Sequence, residues 1–257
     1  LKKRGWQFIE PDAGLLACGD VGKGRLAEPE AIVAAAMALL YPRQDLAGKH
    51  VLVSAGPTQE RIDPVRYITN RSSGKMGYAV AEAAAARGAR VTLVSGPVTL
   101  PAPKGVERVN VVSSYDMFEA IHAAFDACDA LIMAAAPADF TPAVTAEQKI
   151  KKNGREGMTL ELVATRDILK SIGERKGTQR VMGFAAETEH LAENAAKKLN
   201  AKNLDMIAAN DVTAAGAGFA GDTNAVTLYK RDGSSEHSGI MQKRALADWL
   251  LDRLFAD

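Results

Sequence analysis

Residues 70–77 read Asn-Arg-Ser-Ser-Gly-Lys-Met-Gly, which puts an amide, two hydroxyls, two cations and two glycines in eight positions. That set suits an anion. Gly74 and Gly77 would let backbone amides come close to a phosphate, and a helix start would add partial positive charge. The spacing fits neither common glycine template. A Walker A loop needs glycine where Thr69 stands and a magnesium-binding hydroxyl where Met76 stands. A dinucleotide fingerprint follows its strand at once, but here 18 residues separate Ala55 from Gly74. Connections of that kind usually run about 2–6 residues, and a much longer one is usually functional. Arg66, Asn70, Arg71, Ser72, Ser73 and Lys75 all fall in this stretch. Glycines that merely permit tight helix–strand packing remain the plain alternative.

Other polar groups are sorted by spacing. Lys149, Lys151 and Lys152 lie in a segment, 146–157, without apolar period, which predicts a mobile loop. It is either a polyphosphate clamp or a solvated charge run. Lys198 and Lys202 are four apart, so one helix face presents both. His50, His122, His190 and His237 show no metal-ligand or triad spacing. Neither Ser72 nor Ser73 has a GxSxG context, so no serine nucleophile is expected. Cys18 and Cys128 are far apart and form no CxxC pair, which argues against a disulfide framework or a zinc site.

These groups need a scaffold, and the chain supplies a strand–helix alternation from His50 onward. Strands are predicted at 50–55, 90–96, 107–112, 130–136, 180–187 and 204–211, as short apolar, β-branched runs. Helices are predicted at 29–40, 75–88, 113–128, 167–176, 189–202 and 242–256, the first with Pro29 in its opening turn. Residues 224–239 read as a β-hairpin around Asp232-Gly233. The alternation calls for an α/β fold: a Rossmann-like, doubly wound, mostly parallel sheet with helices on both faces. Ligands of such sheets sit beyond the carboxyl ends of the strands, and most of the unusual chemistry follows strands here. The boundary is placed at 47, with 1–47 a separate segment and linker and 48–257 the α/β domain.

The net charge of +1 gives no reason to expect nucleic acid or membrane partners. No run of about 18 apolar residues exists for a membrane helix, and the basic start lacks a secretory signal. The cysteine usage fits a reducing cytoplasm. The absence of an initiator methionine suggests a piece of a longer chain.

The run from Ser54 to Pro97, with "AAAPADF", "EQKIKK", "GFAAET" and "NLDMIAANDV" following in order, resembles bacterial phosphopantothenate–cysteine ligase. The resemblance covers about residue 48 to the end. The first 40 residues resemble the end of a phosphopantothenoylcysteine decarboxylase half, with Cys18 matching that half's flap cysteine. Flavin chemistry would lie upstream, so FMN is expected only in the full-length decarboxylase half and Cys18 is read as idle in this chain.

The resemblance implies a cytoplasmic, homodimeric enzyme acting on 4′-phosphopantothenate, L-cysteine and CTP, with Mg²⁺ accompanying the nucleotide. It implies catalytic roles for Asn70, at the acyl-cytidylate, and Lys149, at the triphosphate. Nucleotide contacts carry over to Ala134, Ala135, Ala136, Asp139, Lys149, Arg166, Asp167, Ile168, Leu169, Phe184, Lys198 and Lys202, with Asp139 also an indirect metal contact. Arg166 stands where relatives have a proline, so the turn there is expected to differ. Arg66, Arg71, Ser72 and Ser73 are candidates for the substrate phosphate.

Two rivals explain part of the same sequence. An NAD(P)-dependent Rossmann-type reductase accounts for the alternation and the glycines, but Ser-Gly-Pro follows the second strand where a ribose-binding acid belongs. A non-catalytic nucleotide-binding module keeps the lysines and has no use for Asn70.

Overall fold

The computed structural model describes residues 6, 8–9, 11–15, 21–27, 29–40, 43–152, 156–187, 191–211 and 221–256. Two compact units divide at residue 45: Leu1–Asp45 and Leu46–Asp257. The first holds an antiparallel pair, β1 (Asp12–Leu15) with β2 (Val21–Arg25), and helix α1 (Pro29–Leu40). Cys18 lies outside the described residues.

In the second unit, β3 (His50–Ala55) leads to two short strands, β4 (Gln59–Arg61) and β5 (Tyr67–Thr69), then α2 (Lys75–Ala86), β6 (Arg90–Ser95) and β7 (Val106–Asn110). Helix α3 (Ser114–Phe125), β8 (Ala130–Met133), β9 (Phe140–Pro142), β10 (Leu162–Ala164), α4 (Ile168–Arg175) and β11 (Arg180–Glu187) follow. The chain closes with α5 (Leu191–Ala201), β12 (Met206–Asp211), β13 (Thr223–Asn224), β14 (Thr227–Lys230), β15 (Ser235–His237), β16 (Met241–Gln242) and α6 (Lys243–Leu254).

The eight-stranded sheet runs β15-β14-β12-β11-β8-β3-β6-β7. From β12 to β7 every pairing is parallel, and β14 and β15 close one edge antiparallel. All six residues of β3 are buried. Such a strand reads as a continuous apolar run because both faces are covered. Val51, Val53 and Ala55 face the core under α2 and α6, while Leu52 faces the core under α3, α4 and α5. From β3 the chain winds outward to β6 and β7, then returns to β8 on the other side of β3. The crevice between β3 and β8 is therefore the topological switch point, where such sheets bind ligands.

Several short strand pairs were not expected, two of them beside the main sheet's loops. The long connection after β3 contains the antiparallel β4–β5 pair, and Phe140–Pro142 pairs with Leu162–Ala164. Three-residue strands leave too short an alternation to read. The strand expected over 130–136 ends at Met133, because the next residues leave the ladder. Ala135 N donates to Ser54 Oγ at 3.1 Å and Ala136 N to the Gly56 carbonyl at 2.9 Å.

Candidate functional site

At the switch point the two loops are stitched together. Gly56 takes a left-handed turn (φ 78°), and Pro57 bridges to Ala136. Thr58 Oγ1, fully buried, accepts from Ala138 N at 2.9 Å. Asn70 Nδ2 donates to the carbonyls of Ala136 (3.2 Å) and Pro137 (3.0 Å). These bonds enclose a cavity of about 390 Å³. One wall is the segment Asn70–Met76, another is Ala134–Pro137 with Asp139, and the floor carries Phe184, Ala185 and Asn210. Lys198, Asn224 and Lys243 complete it.

Helix α2 starts at this cavity without a side-chain cap and without an acid in its first turn. Gly74, its N-cap, sits at φ 77°, and a Cβ there would meet Val98 Cγ1 at 3.0 Å. Ser72 and Ser73 hydroxyls lie 3.4 and 3.5 Å from the Gly74 and Lys75 amides, at the long limit of a hydrogen bond. First-turn amides left in this way carry the partial positive charge that attracts an anion. Lys75 forms a 2.7 Å ion pair with Asp222, and that bond holds the Asp222 carboxyl below its usual range. Lys243 opens α6, and its Nζ donates to the Gly221 carbonyl at 2.6 Å. Burial pushes its pKa down, and the charge of Lys75 pushes it further.

Residues 46–256 match the family described as the DNA/pantothenate metabolism flavoprotein C-terminal domain. The chain belongs to this family. The coenzyme A biosynthesis bifunctional protein CoaBC of Bacillus subtilis (strain 168) is 53% identical over 259 residues, covering 100% of this chain and 64% of its own length. The protein of the same name from Escherichia coli (strain K12) is 44% identical, covering 99% of this chain and 63% of its own length. The chain thus spans less than two thirds of these curated relatives. A crystal structure of the C-terminal domain of CoaBC superposes with a TM-score of 0.71 at 43% identity, covering 82% of this chain and 96% of that one.

Within this flavoprotein C-terminal domain, the cavity gathers Asn70, Arg71, Ser72, Ser73, Ala134, Ala135, Ala136, Asp139, Phe184 and Lys198 from the sequence-derived set. The others lie elsewhere. Asp167 caps α4 by accepting from Lys170 N and pairs with Lys202 at 2.9 Å, so these two charges satisfy each other. Ile168 is buried and Leu169 packs against the same core, which leaves only backbone to offer a ligand. The Arg166 guanidinium lies over the rings of Tyr115 and Phe118 and pairs with Glu119 at 3.5 Å, facing a separate cavity of about 620 Å³. Lys149 is exposed, on the irregular segment after β9. Lys75, Asn210, Asn224 and Lys243 are additional lining residues. Asn210 carried one signal, its place at a strand's carboxyl end. Asn224 and Lys243 carried none, since the two-residue pair β13–β16 brings them in from far along the chain.

The described part of the lysine segment is irregular, and its Ile150 backbone is held by Asp63 and Arg66. Asp63 is 1% exposed. Its Oδ1 accepts from the Val65 and Arg66 amides, and its Oδ2 from the Arg66 side chain and, at 3.1 Å, from Ile150 N. Arg66 also donates to the Ile150 carbonyl at 2.9 Å, so its guanidinium is committed to this knot and borders a small cavity with Lys151 and Lys152. The Arg66 guanidinium, together with the backbone amides, holds the Asp63 carboxyl well below the usual carboxylate range. A depressed folded pKa means the knot's contribution is present above the unfolded value, near 4, and is lost as pH falls through the folded one. Asp63→Asn replaces a charged acceptor and frees Ile150. Tryptic cleavage after Lys149, Lys151 and Lys152 at neutral pH is then expected to run roughly tenfold faster than in the wild type. An unchanged cleavage rate removes Asp63 from the loop's control.

Proposed function

We propose that this chain is a CTP-dependent phosphopantothenate–cysteine ligase working in coenzyme A biosynthesis. The relatives' shared name, coenzyme A biosynthesis bifunctional protein, supports the pathway. The observation that carries the reaction is the cavity at the β3–β8 crevice, which joins an uncapped helix start to Lys75, Lys198 and Lys243. A carboxylate is a poor electrophile and must gain a leaving group. The phosphopantothenate carboxylate attacks the α-phosphorus of CTP and pyrophosphate departs, leaving an acyl-cytidylate. The cysteine amine then attacks the acyl carbon, loses a proton, and expels CMP. Both steps depend on holding reactants in line and neutralising phosphate charge.

The α2 amides and Lys75 suit the phosphates. Backbone groups of Ala134, Ala135 and Ala136 and the ring of Phe184 suit the cytosine, with Lys198 beside them. The Asp167–Lys202 pair would have to open to serve the nucleotide. Lys149 would approach the triphosphate by closure of its loop, shielding the anhydride from water. Asp139 is an exposed carboxylate on the cavity wall with no side-chain bond among the described residues, so it fits an indirect contact to Mg²⁺. When bound there, Mg²⁺ would supply charge neutralisation for the phosphates, with Asp139 holding it indirectly. Arg71, Ser72 and Ser73 line the cavity and would take the substrate phosphate, and Arg66 would do so only if the Asp63 knot loosened.

Residues 1–47 are read as the end of a decarboxylase half whose FMN and reaction belong to the full-length protein, in the cytoplasm. No helix among the described residues is long and apolar enough to cross a membrane. Pyrophosphate release tests the ligase directly. It must require both CTP and phosphopantothenate. Release without phosphopantothenate, or hydride transfer to NAD(P)⁺, sinks the reading, and binding without turnover favours the non-catalytic module.

A homodimer is part of the same reading. Phe140, Val144, Leu162 and Val163 expose apolar side chains on and beside the β9–β10 pair, a patch of the kind that marks an interface. In sedimentation equilibrium the wild type is expected at twice the chain mass. Phe140→Asp with Val163→Asp should weaken association at least roughly tenfold. A double variant with wild-type association moves the interface elsewhere.

A further inference from the structure

Polar residues buried without partners cost stability and call for a reason. The site cavity has one such group, the Asn224 side-chain oxygen, and the Asn210 amide lines the same cavity. Asn224 is 4% exposed and its Oδ1 has no hydrogen-bond donor. Asn210 is 7% exposed, and its side chain makes no hydrogen bond among the described residues. Lys243, 6% exposed, shares this wall. The positions are built in. Asn210 is the penultimate residue of the parallel β12 strand, in register with Ala186. Asn224 pairs with Met241, two residues before Lys243, and the Lys243 amide donates to the Asp222 carbonyl at 2.9 Å.

We propose that Asn210, Asn224 and Lys243 form the seat of an α-amino acid, the two amide oxygens receiving its ammonium and Lys243 its carboxylate. The inference rests on the ligase reading and names which part of that site takes the cysteine.

The chemistry selects the ligand. An amide oxygen lacking a donor repels phosphate oxygens and attracts N–H groups. A buried ammonium does the reverse, drawing a carboxylate and rejecting a second cation. A ligand rewarded by both carries a positive and a negative group a few bonds apart, as a zwitterionic amino acid does. The last torsion of asparagine is broad, so Oδ1 can swing toward a cationic donor at small cost. The place also suits the reaction. Asn70 lines the same cavity from the Ala136–Pro137 side, so the acyl carbon would lie between it and the amine.

The test uses steady-state kinetics of the full-length protein with L-cysteine, CTP and phosphopantothenate. Asn224→Leu keeps the volume and removes the acceptor. The cysteine KM should rise at least roughly tenfold, the cost of a charge-assisted hydrogen bond, while the CTP KM moves less than about threefold. Asn224→Asp, whose carboxylate accepts from an ammonium, should bring the cysteine KM back to within a few fold of the wild type. A purely structural role would instead move both KM values together, and that result overturns the proposal, as does an unchanged cysteine KM. Should Asn224→Leu fail to fold, a comparison of substrates decides. Cysteamine, which lacks the carboxylate, must react with a KM at least roughly tenfold above that of L-cysteine, and Lys243→Met must erase the difference. Equal KM values in the wild type overturn the proposal. Wild-type protein that releases no pyrophosphate from CTP and phosphopantothenate overturns the ligase reading as well, whereas turnover with a flat cysteine response overturns the seat alone.

Discussion

Asn70→Asp is expected to release pyrophosphate from CTP and phosphopantothenate while forming amide product at least roughly 100-fold more slowly than the wild type. The Asn70 side chain spends its two N–H groups on the carbonyls of Ala136 and Pro137. Those bonds hold the segment after β5 against the segment after β8. An aspartate is an acceptor only when ionised, so both bonds vanish and a negative charge faces two carbonyl oxygens. The first half-reaction draws chiefly on phosphate contacts, which come from the α2 amides and the lysines. The second needs a donor at the acyl oxygen as it gains charge; one Asn70 N–H would leave its loop carbonyl to supply it, and loss of one such donor costs about 3 kcal/mol. Rapid quench, following pyrophosphate and amide separately, would show a burst of the first without the second. Native-rate amide formation removes Asn70 from the chemistry. Loss of both phases instead assigns it to holding the loops together.

That dual duty marks the limit of what the chain's spelling conveys. The sheet was legible because its central strand is buried on both faces, so His50–Ala55 is apolar almost throughout, and because Ser113 caps α3 with Asp116 completing the capping box. These are local facts, written in consecutive residues. The β4–β5 and β9–β10 pairs were not legible, since each strand is three residues long and gains its partner from across a loop. The site divides the same way. Asn70–Ser73 are contiguous and lie together in the cavity, as do Ala134, Ala135 and Ala136. Asn224 and Lys243 reach it only through a two-residue ladder. The lysine segment has no period of its own, and its order is borrowed from Asp63, whose side chain closes an Asx-type turn on Val65 before capturing Ile150. Ile168 and Leu169 show what a motif match leaves out: their side chains belong to the core, so any contact with a nucleotide would come from their backbone.

Gly77→Ala should lower the melting temperature by roughly 2–8 °C and raise the CTP KM at least roughly tenfold. Helix propensity argues the other way, since alanine is favoured over glycine in a helix interior by about 1 kcal/mol. Packing decides the sign. A Cβ on Gly77 would lie 2.6 Å from Ala55 Cβ and 2.6 Å from the Ser54 carbonyl oxygen. Neither neighbour can yield. Both belong to β3, which is laddered to β6 on one side and β8 on the other. The helix must therefore withdraw, and Gly77 lies in its first turn. Withdrawal carries the Lys75 and Met76 amides away from the cavity, and a shift of about 1 Å in a positioned group can cost 100-fold in rate. Overpacking of this kind typically costs about 1–3 kcal/mol, occasionally more, enough to outweigh the propensity gain. Thermal denaturation and CTP titration of the same sample check both halves. A variant that melts at or above the wild type, with unaltered KM, would mean that α2 can slide without disturbing the phosphate site, and the case for an anion at this helix start would fall with it.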